Sequence, residues 1–562
     1  MKEQILTAQI VVRTLEKEGV EYIFGYPGGQ AGAFYNALED SKINHILVRC
    51  EKSAVFMADA YAKLTGQVGV STVVSGVGTT LGSIGVYAAY TDSTPLLLIS
   101  NHVPYSEFGK GQMQEMDEVS FFKPITKWGA LLTEPNMAVW TTQSGLRTAL
   151  AGRRGPVFIQ LPIDIMAKPV FHAEVYKNPK IRFQIGEIEE SGTDEAVEML
   201  VRAQRPVLFV GGGCHFASRA EQEIISLADS LQSPIVTTWM GTGIVSGDHP
   251  LYFGQLGMNA RSFTKTTVRE ADVLLAVGCR FSSNSTDYWS QINPDTKIIH
   301  IDIDPREIGK NYPVAIGITG DAKTVLAKMI GKVKGALPQK VNRDEWINRL
   351  RKVRMDWFMA QSEKIDSDAI PLKPQKVCAE IDAFFDKKTI FTLDAGANDH
   401  WVAYFIRPRE PRSWLRNGAG AMGYALPAGL TSKLLHPDRT VVATMGDGGF
   451  MQSFEELATA LQLKLPIVVC VLNDQSLNYP RIIMKHIFQK DFSKYTNFVH
   501  PDFGKVAEAF GCFGIQVDKP SKIKPALENA LEATKGGTPA VIDFLIDKNE
   551  TLDGYRSLVE GK

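Results

Sequence analysis

The chain is short of the features that mark several protein classes. Its six cysteines (50, 214, 279, 378, 470 and 512) form no CxxC pair, and several lie in apolar runs. That scatter excludes a disulfide framework and a Cys- or His-built metal centre, and it reads as reduced core thiols. Net charge is −1 and no Lys/Arg run stands out, so the electrostatic footprint of a nucleic-acid binder is missing. No apolar stretch is long enough to span a bilayer. The opening residues, MKEQILTAQIVVRTLEKEGV, read as an amphipathic helix with acids in it, unlike a targeting peptide. These features predict a cytoplasmic protein with neither nucleic acid nor membrane as a partner.

What is present is the composition of an ordinary soluble protein, 44% hydrophobic and 22% charged over 562 residues. That length exceeds one core and suggests about three or four domains. Short apolar runs alternate with helical patterns throughout, which argues for parallel sheets covered by helices. The fold class is therefore α/β, with three doubly wound domains. The first spans residues 1–165, with strands at Tyr22–Gly25, His45–Val48, Val68–Val74, Leu96–Ile99 and Val157–Leu161. A polar stretch, Phe171–Ser191, reads as a linker. The second spans 190–335, with strands at Val207–Val210, Ile235–Thr237, Val273–Val277 and Lys297–Ile303. The third spans 372–548, with strands at Ile390–Leu393, Thr440–Met445, Pro466–Leu472 and Ala540–Leu545.

The third domain carries the most specific signal. Gly446-Asp447-Gly448-Gly449 follows a buried strand, a helical segment at Phe454–Leu463 comes next, and Leu472-Asn473-Asp474-Gln475 closes a second buried strand. Asp447 and Asn473 then both sit at strand carboxyl ends, where open α/β sheets bind ligands. An Asp, an Asn and a backbone carbonyl suit Mg²⁺, which takes oxygen donors and shares its shell with phosphates. GDG alone is an ordinary strand–loop–helix turn; the strand, helix, strand and Asn around it make the pattern specific.

This pattern resembles the Mg²⁺–diphosphate motif of thiamine-diphosphate (ThDP) enzymes, and nearly the whole chain resembles their acetolactate synthase-like branch. The resemblance implies a domain order of pyrimidine-binding, central and diphosphate-binding. It further implies that Asp447 and Asn473 bind Mg²⁺ by side chain and Gln475 by its carbonyl. Gly446, Gly448, Gly449 and Leu477 would lie along the cofactor, and Gly396-Ala397-Asn398 would present N–H groups to the diphosphate. In Gly418-Ala419-Gly420-Ala421-Met422-Gly423-Tyr424, Gly420 and Met422 match the loop that supports the bent cofactor. A soft Met side chain can fill the angle between its rings.

In the first domain the resemblance makes Glu51 the catalytic acid. A carboxyl in an apolar pocket can share a proton with the pyrimidine N1′ and promote loss of the thiazolium C2 proton. Without the family pattern, Glu51 would be a first-turn acid favoured by the helix dipole. Ala54, Ala58 and Ala62 give its helix a small-residue face, and Cys50 replaces the His that often precedes the Glu. Gly25-Tyr26-Pro27-Gly28-Gly29 resembles the loop against the pyrimidine, which assigns Pro27 and Gly28. Ser75–Thr80 resembles SGPGATN, with Val77 and Leu81 replacing Pro and Asn, and assigns Thr80. Gln114 matches a glutamine that reaches the reacting centre.

The activity so implied is decarboxylation of a 2-oxo acid, pyruvate or a relative, and transfer of the remaining fragment to a second carbonyl compound. ThDP carries the electron-sink chemistry. The acceptor stays open, because Gln475–Arg481 is not followed by the tryptophan of the biosynthetic synthases. An oxalyl-CoA decarboxylase or 2-hydroxyacyl-CoA lyase is the alternative, since Gly396-Ala397-Asn398 also resembles their turn; its substrate would be an acyl-CoA. A pyruvate decarboxylase fits less well, because the chain has no His-His pair. A non-catalytic nucleotide-binding protein on the same fold is the reading from another class, and retention of Glu51, Asp447 and Asn473 argues against it. The central domain takes FAD, ADP or nothing in this family. Phe253–Met258 and His300–Lys310 resemble the flavin-binding members, and Ile301-Asp302-Ile303-Asp304 puts an acid at a strand end where it could meet a ribose, whereas Arg280-Phe281-Ser282-Ser283-Asn284 departs from their RFDDR. A homodimer, or a dimer of dimers, with ThDP between subunits follows from the resemblance alone.

Overall fold

The structure is a computed structural model that describes residues 5–170, 175, 190–336, 341–499 and 501–552. Nearly all of the segment read as a linker lies outside the described residues. Three six-stranded sheets, parallel in every pairing, are built from successive stretches of chain. The expected α/β class with three doubly wound sheets is what the chain forms. The interior strands were legible because a parallel strand covered by helices on both faces must be apolar throughout. Tyr22–Gly25, Ile235–Thr237, Val273–Val277, Ile390–Leu393 and Ala540–Leu545 occupy the predicted residues.

The first sheet runs Asn44–Leu47, Tyr22–Gly25, Gly69–Val74, Leu96–His102, Pro156–Pro162, Gly129–Leu131. The third runs Trp414–Leu415, Ile390–Leu393, Val441–Gly446, Val468–Asn473, Ala540–Leu545, Phe513–Val517. Numbered along the chain, both have the order 2-1-3-4-6-5, so each reverses direction between its first and third strands. The second sheet has the order 3-2-1-4-5-6, reversing between Pro206–Val210 and Val273–Val277. Such reversal points open a crevice at the strands' carboxyl ends, where ligands bind.

Contacts divide the chain into two compact units. One contains the first sheet together with Asn417–Pro437 and Gln452–Leu465; the other contains the second and third sheets. Within the first unit, helix Glu51–Thr65 is buried along its length. Helix Val77–Asp92 lies against it, with Gly82 and Gly85 facing Val55. Residues Val77–Thr80, expected as loop, thus open a helix whose glycines permit that close approach. Helix Ala425–Leu435 packs on the same helix. The segment read as one helix, Phe454–Leu463, is a 3-10 turn, Phe454–Glu456, followed by an α-helix, Leu457–Gln462.

Candidate active site

In the first unit the predicted residues gather at the sheet's reversal point. Glu51 opens the helix after strand Asn44–Leu47 and is 9% exposed. Its Oε1 lies 3.4 Å from where a side chain at Gly78 would begin. Pro27 and Gly28 follow strand Tyr22–Gly25, and Gly28 rests on Val74 at the end of the adjacent strand. Gln114 comes from the loop after strand Leu96–His102. It holds a left-handed φ of 71°, and its Oε1 accepts from Gln30 Nε2 at 2.8 Å. Thr80 Oγ1 donates to the Gly76 carbonyl at 2.8 Å.

The loop bearing Gly420 and Met422 belongs to this unit, docked on the helix that carries Glu51. Buried Lys63 pairs with Asp59 and Asp92, both at 2.8 Å, and the Tyr424 hydroxyl donates to Asp59 at 2.8 Å. The Gly418 N–H donates to Asp92 at 2.9 Å. Burial pulls the Lys63 ammonium down, but Asp59 and Asp92 outweigh it and hold it above the ordinary lysine value. Lys52 Nζ adds a bond to the Gln452 carbonyl, and Gln452 Nε2 approaches Met422 Sδ at 3.7 Å.

In the second unit the turns after the first and third strands of the third sheet meet across the reversal point. Asp447 opens the short helix Asp447–Phe450, so Gly446–Gly449 is strand end and helix turn. Gly449 must be glycine because a Cβ there would stand 2.5 Å from Asp394 Oδ1. Gly396, with φ 126°, leads into helix Ala397–Phe405. With its amide oriented to satisfy both ends, Asn398 donates to the Ala395 carbonyl (3.1 Å) and accepts from the Gly446 N–H (3.3 Å). Asp447 accepts from the Gly448 N–H (2.6 Å) and the Ser476 N–H (3.2 Å), so the Asn473–Leu477 turn closes over it. Asn473 ends its strand; its Nδ2 donates to Asp543 at 2.9 Å and its Oδ1 accepts from the Gln475 N–H at 3.1 Å. Gln475 has a left-handed φ of 56°, its carbonyl accepts from the Phe498 N–H at 3.3 Å, and the Leu477 N–H donates to the Thr496 carbonyl. Burial, and then the Asp447 carboxylate, push the Asp474 carboxyl up to about 8.

Three thiamine pyrophosphate enzyme domains match in chain order: the N-terminal TPP binding domain at residues 6–121, the central domain at 193–329 and the C-terminal TPP binding domain at 394–544. A probable acetolactate synthase large subunit of Methanocaldococcus jannaschii is 36% identical over 97% of this chain and 92% of its own length. The acetolactate synthase large subunit of Haemophilus influenzae is 34% identical over 97% and 95%. The acetolactate synthase isozyme 3 large subunit of Escherichia coli K12 is 34% identical over 98% and 96%. The chain belongs to the thiamine pyrophosphate enzyme family, on its acetolactate synthase-like branch.

It is therefore a ThDP-dependent enzyme of carbon–carbon bond chemistry. The second unit's donor set suits a hard cation. Asp543 holds the Asn473 amide by its nitrogen and fixes the oxygen end toward the Gln475 turn, so Asp447, Asn473 and the Gln475 carbonyl offer only oxygens. Asp543, Asp394 and Glu118 were missed in the sequence. The signal for Asp543 is an acid inside the apolar strand AVIDFL, where burial demands partners; it accepts from Asn473, Gln516 and the Phe503 N–H. Asp394 is an acid at a strand end, as Asp447 is.

The second sheet has a dinucleotide-type strand order, but the turn Gly211–Gly213 is closed by its own chain. Gly211 and Gly213 N–H groups donate to the Val277 and Gly278 carbonyls, and Gly211 lies directly on Gly278. That turn does not fit a diphosphate. Asp302 ends strand Lys297–Asp302 and accepts from the Asp304 N–H at 2.9 Å, while Asp304 is bidentate to Arg306. Among the described residues no helix is long and apolar enough to cross a membrane.

Proposed function

We propose that the chain is a Mg²⁺-dependent 2-oxo acid decarboxylase and carboligase that uses pyruvate or a close relative as donor. The observation that carries this reading is the arrival of both predicted site halves at the reversal points of two sheets of identical strand order. Bound ThDP supplies the electron sink for decarboxylation. With ThDP bound, Glu51 would share a proton with the pyrimidine N1′, Pro27 and Gly28 would border that ring, and Gln114 would reach toward the reacting centre, with Thr80 on the neighbouring helix turn. Asp447, Asn473 and the Gln475 carbonyl hold the metal. The turns at Gly396-Ala397-Asn398 and Gly446–Gly449 receive the diphosphate, with Leu477 beside it. Gly420 lets Met422 enter the bend of the cofactor.

Two copies of the chain share the cofactor in this reading, as a homodimer or a dimer of dimers. Val77, Leu81, Ile84 and Tyr87 on helix Val77–Asp92 support it: all are about half exposed and fall on a common apolar stripe, the kind of contiguous apolar surface that marks an interaction site. For the middle sheet, the strand order and Asp302 support an adenine nucleotide, the adenosine of FAD or ADP, with its phosphates away from the Gly211–Gly213 turn. Flavin absorbance and released nucleotide of the purified protein test that assignment. The cytoplasm is the compartment that suits the reduced thiols. Incubation with ThDP, Mg²⁺ and pyruvate, followed by analysis for CO₂ and acetolactate, tests the activity. Acetolactate is expected; its absence beside turnover of oxalyl-CoA or a 2-hydroxyacyl-CoA would replace this reading with the acyl-CoA one.

A further inference from the structure

Glu118 is a fully buried carboxyl that the reaction as described leaves unused. It begins helix Glu118–Phe122, directly after the loop that carries Gln114. Its Oε1 accepts from the Gly76 N–H at 2.8 Å and from Thr79 Oγ1 at 2.7 Å. Its own N–H donates to the Met116 carbonyl at 2.9 Å. One side chain thereby ties the turn after strand Gly69–Val74 to the end of the Gln114 loop.

The second link is steric. Gly76 has φ 63°, and a Cβ on it would stand 2.8 Å from the Gln114 carbonyl oxygen and 3.0 Å from Gln114 Cα. The Gln114 main chain therefore rests on the residue whose N–H Glu118 holds. Gln114 is itself in the left-handed region, a conformation that costs a non-glycine residue about 1 kcal/mol or more and persists only where its surroundings impose it. Asp117 caps the same helix by accepting from the Ser120 N–H, and His102 Nε2 meets the Met116 carbonyl at 3.2 Å, so the loop is pinned on both sides. A buried carboxyl is expensive unless it is fully bonded, and burial raises Glu118 above the usual carboxyl range.

We propose that Glu118 is a positioning residue that holds Gln114 in its reactive orientation through Gly76. This inference rests on the assignment of Gln114 to the reacting centre. The chemistry asks of Glu118 only an accepting oxygen, so its amide should serve nearly as well as its acid, whereas a methyl should not.

The test measures acetolactate formation from pyruvate, C2–H exchange of bound ThDP, Mg²⁺-dependent ThDP affinity and thermal midpoint. The variants are Gln114→Ala, Glu118→Ala, Glu118→Gln and the double variant Gln114→Ala/Glu118→Ala. Misplacement of about an ångström can cost on the order of a hundredfold. Glu118→Ala is expected to lose about tenfold to a hundredfold in kcat/KM, as Gln114→Ala does, with exchange and ThDP affinity within about twofold. Glu118→Gln should recover most of that loss. The double variant should lose no more than the worse single, because residues acting as a unit are not additive. Multiplying losses in the double variant, or a parallel fall in exchange and thermal midpoint for Glu118→Ala, would reduce Glu118 to a structural acid and overturn the proposal. A Gln114→Ala variant at parent kcat/KM would instead overturn the Gln114 assignment, and this role with it.

Discussion

Replacing Lys63 with Met probes how the Met422 loop is held to the helix of Glu51. Lys63 is 1% exposed and faces two carboxylates that are themselves buried. The cluster of one ammonium, Asp59 and Asp92 is completed by the Tyr424 hydroxyl and the Gly418 N–H. Removing the cation leaves two like charges in a medium of low dielectric, and breaking such a buried pair costs about 3–5 kcal/mol. With an unfolding entropy of about 2.1 cal/mol/K per residue, 562 residues give ~1.2 kcal/mol/K. The thermal midpoint should then fall by about 2.5–4 °C if the chain unfolds as one, and further if the first unit unfolds alone. The penalty should shrink as pH falls and the stranded acids take up protons. In the parent, the Lys63 ammonium is held above its ordinary value, so its stabilisation is present below the unfolded lysine pKa and is lost as pH rises through the higher folded one. Scanning calorimetry from pH 5 to 9, with amide exchange at Gly418, is the assay. A midpoint shift below about 1 °C with Gly418 still protected would refute this account of the loop.

Asp543→Ala should raise the Mg²⁺ concentration needed for ThDP binding by about tenfold to a hundredfold, as loss of a group that orients a metal ligand does; an unchanged Mg²⁺ titration would show that Asn473 needs no such partner. Burial, and then Arg416, pull the His400 imidazole down to about 3, and burial with Arg412 does the same to His215. Each contributes stability that is complete above an unfolded value near 6.5 and disappears as pH falls toward 3, up to about 4–5 kcal/mol. His400→Gln should therefore flatten the acid limb of a plot of thermal midpoint against pH, and an unaltered limb would show that His400 titrates normally.

The interior strands were readable because each is a short, fully apolar run. Gly129–Leu131, Tyr252–Gln255, Ile316–Thr319, Trp414–Leu415 and Phe513–Val517 are strands without a predicted counterpart, and all lie on sheet edges. Ile316–Thr319 alternates buried and exposed residues and Phe513–Val517 is half-exposed along most of its length, so neither resembles a buried run. Site residues were legible where chemistry fixes residue type and spacing, as at Asp447 and Asn473. Asp543, Asp394 and Glu118 were not, because a group that orients another side chain is set by the fold and leaves no local pattern. The close approach of Gly76 to Gln114 likewise joins loops 38 positions apart, and only the sheet brings them together.

Exchange of the C2 proton of ThDP bound to Glu51→Gln, read by quenched-flow deuterium incorporation with Mg²⁺ present, tests the central claim most directly. The account predicts that exchange is abolished while Mg²⁺-dependent ThDP binding persists. Exchange at the parent rate in that variant would contradict it.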